Sequence, residues 1–496
     1  MNHRIDATTV ALSLVAHTNV GKTTLTRTLL QRDVGEVRDE AHVTMSAERQ
    51  TLIETADGDR LDLWDTPGFG DSLRLAQRLA RAGNPIGWFL NEVWDRWRDR
   101  AMWASQQAVR NALLQADVVL YLVNASEQPQ DAAYVDPELT VLTLIGKPVL
   151  VLLNQTGPPR GLDAEKAELR RWRERVSRFD CVREVLPLDA FARCWVQEDA
   201  LLAAVAPLLP AAQSAGFARL RTAWQQRQQR TWRAACAVLA ERLARAALDR
   251  AEVGGAPWTG RVRDLGVALG LPAGSTPTPR ELAMQSLAQR LEDALRASTD
   301  RLIALHGLSG HASAIVQQRL AEHFAAREPV SEGKAALVGG MVSGALLGLK
   351  ADIATGGLTL GGGLLAGGVL GALGALGAAR GFNLLRGVDK PTLAWNDAVL
   401  GELVRSALLG YLAVAHFGRG RGEWVASEEP AVWSATVDEV LAGQQQALQA
   451  VWARRGTASG DALRDALTPL LESMTYELLL RLYPHCTAAL DPDGVA

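Results

Sequence analysis

The chain has 496 residues, of which 48% are hydrophobic, enough for roughly two to four domains with substantial buried cores. Its formal net charge is −3, which gives no general attraction for nucleic acid. The four cysteines, Cys181, Cys194, Cys236 and Cys486, lack paired metal-ligand spacing and no signal peptide stands at the N-terminus, so a reducing cytoplasm is expected.

An apolar run, Val10 to Val15, predicts the first strand, and Thr24 to Leu30 predicts a helix. Between them Ala16-His17-Thr18-Asn19-Val20-Gly21-Lys22-Thr23 reads as a phosphate-binding loop. A strand-to-helix turn aims backbone N–H groups and the positive end of the helix dipole at one point, where an oligophosphate fits. Gly21 permits close backbone approach, Lys22 reaches the terminal phosphates, and the Thr23 hydroxyl suits a magnesium ion. Ala16 stands where glycine is usual, and it is still small enough for a tight turn.

The polar segment Arg32 to Gln50 has the composition of a mobile loop, and Thr44, with Ser46 and Thr51 as rivals, is its candidate switch threonine. Thr51 to Thr55 and Leu61 to Trp64 predict two strands joined at Asp57-Gly58, a hairpin dipeptide, and the only antiparallel pair expected in this region. The second strand ends in Asp65-Thr66-Pro67-Gly68, which places a carboxylate beside the metal and a glycine N–H beside the last phosphate. A long insertion follows, with Phe89, Val93 and Trp97 at helical spacing among Trp88, Trp94 and Trp103. That aromatic face suits either a core helix or a docking surface beside the switch. Val118 to Val123 and Pro148 to Leu153 are continuous apolar runs typical of parallel strands buried on both faces. Val185 to Leu188 predicts one more strand, running into Asp189-Ala190.

On these motifs residues 8 to about 195 resemble the translation-factor-related GTPases of the Era and TrmE type, and the whole chain is similar to bacterial GTPases that carry a C-terminal helical domain of unknown function. The resemblance implies an α/β P-loop NTPase domain with a mostly parallel sheet and helices on both faces. It implies GTP as ligand, with Ala16, Thr18, Asn19, Val20, Gly21, Lys22, Thr23 and Thr24 around the phosphates and Asn154, Gln155, Asp189 and Ala190 toward the base. It also implies Mg2+ on Thr23, Thr44 and Asp65, and a catalytic role for Lys22, Thr44 and Gly68. In potassium-stimulated relatives an asparagine at the place of Asn19 helps hold a monovalent cation, so K+ is a candidate cofactor; Asn19 equally suits a backbone turn of unusual angle.

Two departures matter. Phe69 follows Gly68 where many such GTPases place a water-orienting glutamine, so hydrolysis would need another residue, a cation or a partner; Asp71, Arg74 and His42 are nearby polar candidates. In Asn154-Gln155-Thr156-Gly157, the fourth position lacks the aspartate that normally reads guanine. Asp189 either supplies that carboxylate or caps a helix beginning at Ala190.

Beyond residue 195 the pattern is helical: Phe217, Leu220 and Trp224, then Trp232, Cys236, Leu239 and Leu243, and Met284, Leu287, Leu291 and Leu295 recur at steps of three and four. From Ile353 to Ala379 no residue is charged over 27 positions, and ten are glycine. Glycine costs about 1 kcal/mol relative to alanine in an exposed helix, so such a segment needs tight packing. Residues 335–381 therefore suit a glycine-packed hairpin buried in the protein or one that contacts the inner membrane, on its surface or inserted. Leu393 to Phe417 predicts a helix, and His416 to Gly422 an arginine–glycine loop.

The expected organisation is thus a GTPase domain over 1–195, a helical part over 196–330, a glycine-rich apolar hairpin over 331–388, and a helical part over 389–496. The expected function is GTP hydrolysis to GDP and phosphate, coupled as a switch to the helical module and an unidentified protein partner. Phe69 motivates a binding switch with negligible turnover as the alternative, and Gly157 with the glycine hairpin an ATP-using membrane accessory.

Overall fold

A computed structural model describes residues 7–30, 47–81, 84–85, 87, 99–157, 161–190, 194–253, 279–308, 382–385, 392–417, 431–484 and 486. Thr44, the tryptophans from Trp88 to Trp97, the segment 335–381 and the arginine loop after Phe417 lie outside them.

The N-terminal part is a six-stranded sheet in the order β2-β3-β1-β4-β5-β6, formed by β1 (Thr9–Ala16), β2 (Glu48–Glu54), β3 (Arg60–Asp65), β4 (Val118–Asn124), β5 (Val149–Asn154) and β6 (Val182–Pro187). Only β2 runs antiparallel, as the Asp57-Gly58 turn requires, and Gly58 takes φ +88. The helices on this sheet are α1 (Lys22–Leu30), α2 (Ser72–Leu79), α3 (Arg100–Leu114), α4 (Val135–Ile145), α5 (Leu162–Val176) and α6 (Trp195–Val205). The continuous apolar runs are explained by this sandwich: Val118 to Val123 and Val149 to Asn154 are buried throughout, because both faces of the central strands are covered. Register brings Leu14 opposite Asp65 and Asn124 opposite Asn154, so the ends of β1, β3 and β5 share one edge. Ligands bind at that edge in open α/β sheets.

A 38-residue helix, α7 (Ala211–Leu248), follows; at 1.5 Å per residue it is about 57 Å long. The sequence periodicity broke into two stretches, Phe217 to Trp224 and Trp232 to Leu243, but the helix is continuous. Its first part belongs to the N-terminal unit, which runs through Arg230 and takes in the described residues within 415–424 and 479–496. One face, at steps of three, makes the contacts. Gln213 Nε2 donates to the Thr9 carbonyl at 3.2 Å, and Gly216 lies so close to Thr8 that a Cβ would stand 2.2 Å from its Oγ1. Arg219 grips Asp59 through Nε and Nη2 at 2.7 and 2.8 Å, a bidentate geometry that fixes direction as well as distance.

The second unit holds the rest of α7 with α8 (Pro279–Leu305), α9 (Asp397–Ala415) as far as Val414, α10 (Ala431–Ala453) and α11 (Gly460–Leu482) as far as Leu478. It is mostly helical, but three short strands, β7 (Arg250–Glu252), β8 (Phe382–Leu385) and β9 (Thr392–Trp395), form an antiparallel sheet in the order β7-β9-β8. The helix expected from Leu393 therefore begins four residues later. Leu393, Ala394 and Trp395 are all buried, and an apolar run of that length does not distinguish strand from helix. Trp232 Nε1 donates to Thr475 Oγ1 at 2.8 Å, and Arg405 Nε to Asp438 at 2.5 Å, tying α7 to α11 and α9 to α10. By length and composition α9 could cross a bilayer, but 78% of its apolar window is buried inside the protein.

Candidate functional site: a phosphate loop at the sheet edge

The loop between β1 and α1 turns on two residues of positive φ, Asn19 at +64 and Gly21 at +95. Asn19, exposed at the crest, holds the unusual backbone angle that asparagine tolerates better than most residues. Gly21 is required twice over. Its φ suits glycine, and an added Cβ would lie 2.8 Å from Asn154 Nδ2. Val20 and Thr24 are buried beside it, and Thr18 stands half-buried.

Lys22, 7% exposed, opens α1. Burial pushes its ammonium below the ordinary lysine range, opposed by the charges of Asp65 and Glu138. Thr23 Oγ1 donates to Asp65 Oδ2 at 2.6 Å. Burial raises the Asp65 carboxyl to about 6, against the Thr23 hydrogen bond and Lys22. Its other oxygen, Oδ1, is buried with no hydrogen-bond partner. A hydroxyl and a carboxylate in contact, with one buried oxygen unsatisfied, fit a hard divalent cation, and Mg2+ would be held there by Thr23 and Asp65. Among the described residues no group of three or more His, Cys, Asp or Glu forms another metal site.

Gly68 is buried against the loop: a Cβ there would lie 3.0 Å from both Lys22 Nζ and Thr18 Cα. Phe69 is fully buried among Val15, Leu75, Leu79 and Met102, so its ring is core and has no access to an attacking water. Its backbone is laced to the loop, with Phe69 N–H donating to the Ala16 carbonyl at 2.9 Å and Thr18 N–H to the Phe69 carbonyl at 3.2 Å. Neither described candidate for the glutamine's task stands ready. Asp71 caps α2 by accepting from Arg74 N–H at 3.1 Å, and Arg74 pairs with Asp99 at 2.9 Å. His42 lies outside the described residues.

On the base side Asn154 is a fully buried brace, donating from Nδ2 to the Val20 carbonyl at 2.6 Å and accepting from Ala190 N–H at 2.8 Å. Thr28 on α1 donates to the Ala190 carbonyl at 2.9 Å, so Ala190 bridges the loop after β6 to the phosphate helix. Gln155 has φ +58 and Gly157 φ +73. Asp189, 4% exposed, accepts from both the N–H and the hydroxyl of Thr156, at 2.8 and 3.0 Å. Residues 191–193, where a helix capped by Asp189 would run, lie outside the described residues; α6 starts at Trp195 behind Cys194. Sequence reasoning missed Thr156, and the only hint was a hydroxyl in the motif that could anchor a neighbouring acid. It also missed Glu138, although Val135, Glu138 and Leu142 share one helical face, which sets this acid among buried positions.

A second concavity, about 530 Å³ in the helical unit, is lined by Arg245, Arg290 and Arg464 beside Trp395. Its arginines already pair with Glu241, Asp249 and Asp461, so it offers no uncompensated charge to a phosphate.

A strand-to-helix phosphate loop, a carboxylate at the end of β3 and an asparagine brace at the end of β5 define a P-loop nucleotide-binding protein. Residues 11–155 match the family described as 50S ribosome-binding GTPase, and residues 173–468, more than half of the chain, match the domain of unknown function DUF3482. The chain therefore belongs to the family defined by this mostly helical C-terminal domain, here preceded by a region that matches the GTPase family. Among solved structures it is similar to Era in complex with MgGDPNP and nucleotides 1506–1542 of 16S ribosomal RNA, at 19% identity and TM-score 0.30, covering 41% of this chain and 58% of that one. A variant of Aquifex aeolicus Era bound to GDP·AlF4− matches at 19% identity and TM-score 0.30, with 41% and 57% covered. A structure described with the GTPase activity of the chloroplast translocon components atToc33 and psToc159 matches at 17% identity and TM-score 0.24, with 38% and 73% covered. The chain thus spans a little over half the length of the Era structures. No curated protein matches it.

Proposed function

We propose that the protein binds GTP with Mg2+ and hydrolyses it to GDP and phosphate, acting as a switch whose state is passed to the helical domain. The observation that carries this reading is the pairing of Thr23 with Asp65, whose second oxygen is buried and unsatisfied, next to the buried ammonium of Lys22. In this reading Lys22 and the loop N–H groups hold the phosphates, and Gly68 offers its N–H to the last one. Thr23 and Asp65 would hold Mg2+, which would supply positive charge to offset that of the phosphates. Asn154 keeps the base-side loop in register with Val20, and Asp189, through Thr156, shapes that loop whether or not it also reads the base.

The buried Phe69 ring favours slow intrinsic turnover, with the missing group supplied by a monovalent cation near Asn19 or by a protein partner. Hydrolysis compared in potassium and sodium tests the first. Thr44 is the switch threonine of this proposal. The cytoplasm is the proposed location, with residues 335–381 as the segment that would touch the inner membrane. The RNA bound in the Era complex is a property of that protein; the charge of −3 here argues for no nucleic-acid partner.

The deciding experiment is competition of GTP, GDP and ATP for a fluorescent guanine nucleotide on the full chain, with Lys22→Ala beside it. Guanine nucleotides should displace the probe at least about tenfold better than ATP, and Lys22→Ala should abolish binding. Equal displacement by ATP would refute the guanine assignment, and unchanged affinity in Lys22→Ala would refute the placement of the phosphates.

A further inference from the structure

Beneath the phosphate loop lies a buried carboxylate that the nucleotide does not need. Glu138 on α4 is fully buried. Its neighbours on that helix, Val135, Leu139, Leu142 and Ile145, are apolar, and an apolar side chain would fill the position without the cost of burying a charge. Instead its two oxygens take up donors from three separate segments. His17 Nδ1, in the phosphate loop, lies 2.8 Å from Oε1. The Tyr121 hydroxyl on β4 donates to Oε2 at 2.8 Å. The hydroxyl of Ser72, the first residue of α2, also bonds to this carboxylate.

The two outer donors bracket the reacting end of the site. His17 forms a parallel β-bridge with Phe69, and its ring stacks on Tyr134 with centroids 4.8 Å apart. Ser72 follows Phe69 by three residues. The segment Gly68-Phe69-Gly70-Asp71 is therefore held at one end through His17 and at the other by Ser72, both on one carboxylate. Where a glutamine side chain would orient water, this chain has a ring sunk in the core. The backbone of that same segment is left to share the ordering of the terminal phosphate and water with a cation or a partner. Burial raises the Glu138 carboxyl above its ordinary range, while His17, Tyr121 and Ser72 oppose the rise.

We propose that Glu138 is a positioning residue for hydrolysis: through His17 and Ser72 it holds the phosphate loop and residues 68–71 in one frame, so that backbone groups do the ordering that Phe69 cannot. This rests on the GTP-hydrolysis reading above. It predicts that loosening the frame slows the chemical step without loosening the grip on diphosphate, because the loop N–H groups and Lys22 stay in place.

The test uses the full chain and the variants Glu138→Gln, Ser72→Ala and His17→Ala. GDP affinity, thermal midpoint and single-turnover hydrolysis of saturating GTP are measured for each. Glu138→Gln should slow hydrolysis at least about tenfold, since small misplacements at a reacting centre are costly, while GDP affinity stays within about threefold. The pair His17→Ala with Glu138→Gln should be no slower than Glu138→Gln alone, because groups that act as a unit are not additive. A lowered thermal midpoint and weaker GDP binding with an unchanged rate per bound GTP would make Glu138 merely structural and overturn the proposal. If Glu138→Gln fails to fold, Ser72→Ala, which removes one hydroxyl, carries the test: about threefold slower turnover or more supports the frame, and an unchanged rate overturns it. Wild-type protein that binds GTP without turnover would sink the hydrolysis reading and this one together; wild-type turnover with unaltered variants sinks only the role of Glu138.

Discussion

Lowering the pH should release Mg2+ from this site far earlier than from an ordinary aspartate site. The perturbation is protonation of Asp65, whose carboxyl burial raises to about 6 from 3.8. The metal needs the ionised form, which is about 97% populated at about pH 7.5 and about 9% at about pH 5, so Mg2+ affinity should fall about tenfold over that range. A carboxyl left at 3.8 would change by only about 6% at about pH 5. The sign is opposite for the metal-free fold. There the folded state holds the proton more tightly than the unfolded chain, so this group's contribution to stability is fully present at low pH and is lost as pH rises from 3.8 toward about 6. The assay is Mg2+ titration of the GDP-bound protein, followed by fluorescence of a labelled nucleotide at stepped pH. Nucleotide phosphates bring their own proton equilibrium near about pH 6, so Asp65→Asn provides the baseline and should bind Mg2+ weakly with a shallower pH profile. Parallel profiles for the wild type and Asp65→Asn would refute the assignment of the buried carboxyl as a metal ligand.

Three further outcomes are expected. Gly216→Ala drives a Cβ to within 2.2 Å of Thr8 Oγ1 and 2.3 Å of its Cβ, and should cost about 1–3 kcal/mol in denaturant unfolding. Adding Thr8→Gly should restore part of that, and an unchanged midpoint in the single variant would refute the close packing. Asp189→Asn keeps an acceptor for Thr156 and should preserve nucleotide affinity. A fall of about tenfold in the preference for GTP over ATP would show that the carboxylate also reads guanine, and an unchanged preference that it does not. Asp189→Ala leaves two Thr156 donors without their acceptor and should cost about 1–3 kcal/mol, read as a lower thermal midpoint; wild-type stability would refute that role.

The local motifs were legible because each demands a residue type for a reason that needs no distant partner. Gly21 takes a positive φ, Lys22 and Thr23 follow at the start of a helix, and Asp65 ends a strand. The alternation of apolar runs with helical stretches predicted the α/β domain, because strands buried on both faces must be continuously apolar. Short apolar runs were less informative: Thr392–Trp395 is a strand and not the start of a helix, since what decides is pairing with β7 and β8, and pairing is not written in a four-residue window.

By itself the sequence pointed to a phosphate site between the first strand and the first helix, since a glycine-allowed turn there generates such a site from backbone geometry alone. Only the tertiary structure decided what each polar group near it is free to do. Asp189 bends to Thr156, Phe69 becomes core, and Asp71 is used as a helix cap. His17 and Ser72, 55 positions apart in the chain, meet on Glu138. The reason is that a side chain's chemistry depends on its burial and its partners, and those come from segments far apart in sequence that only the packed sheet and helices bring together.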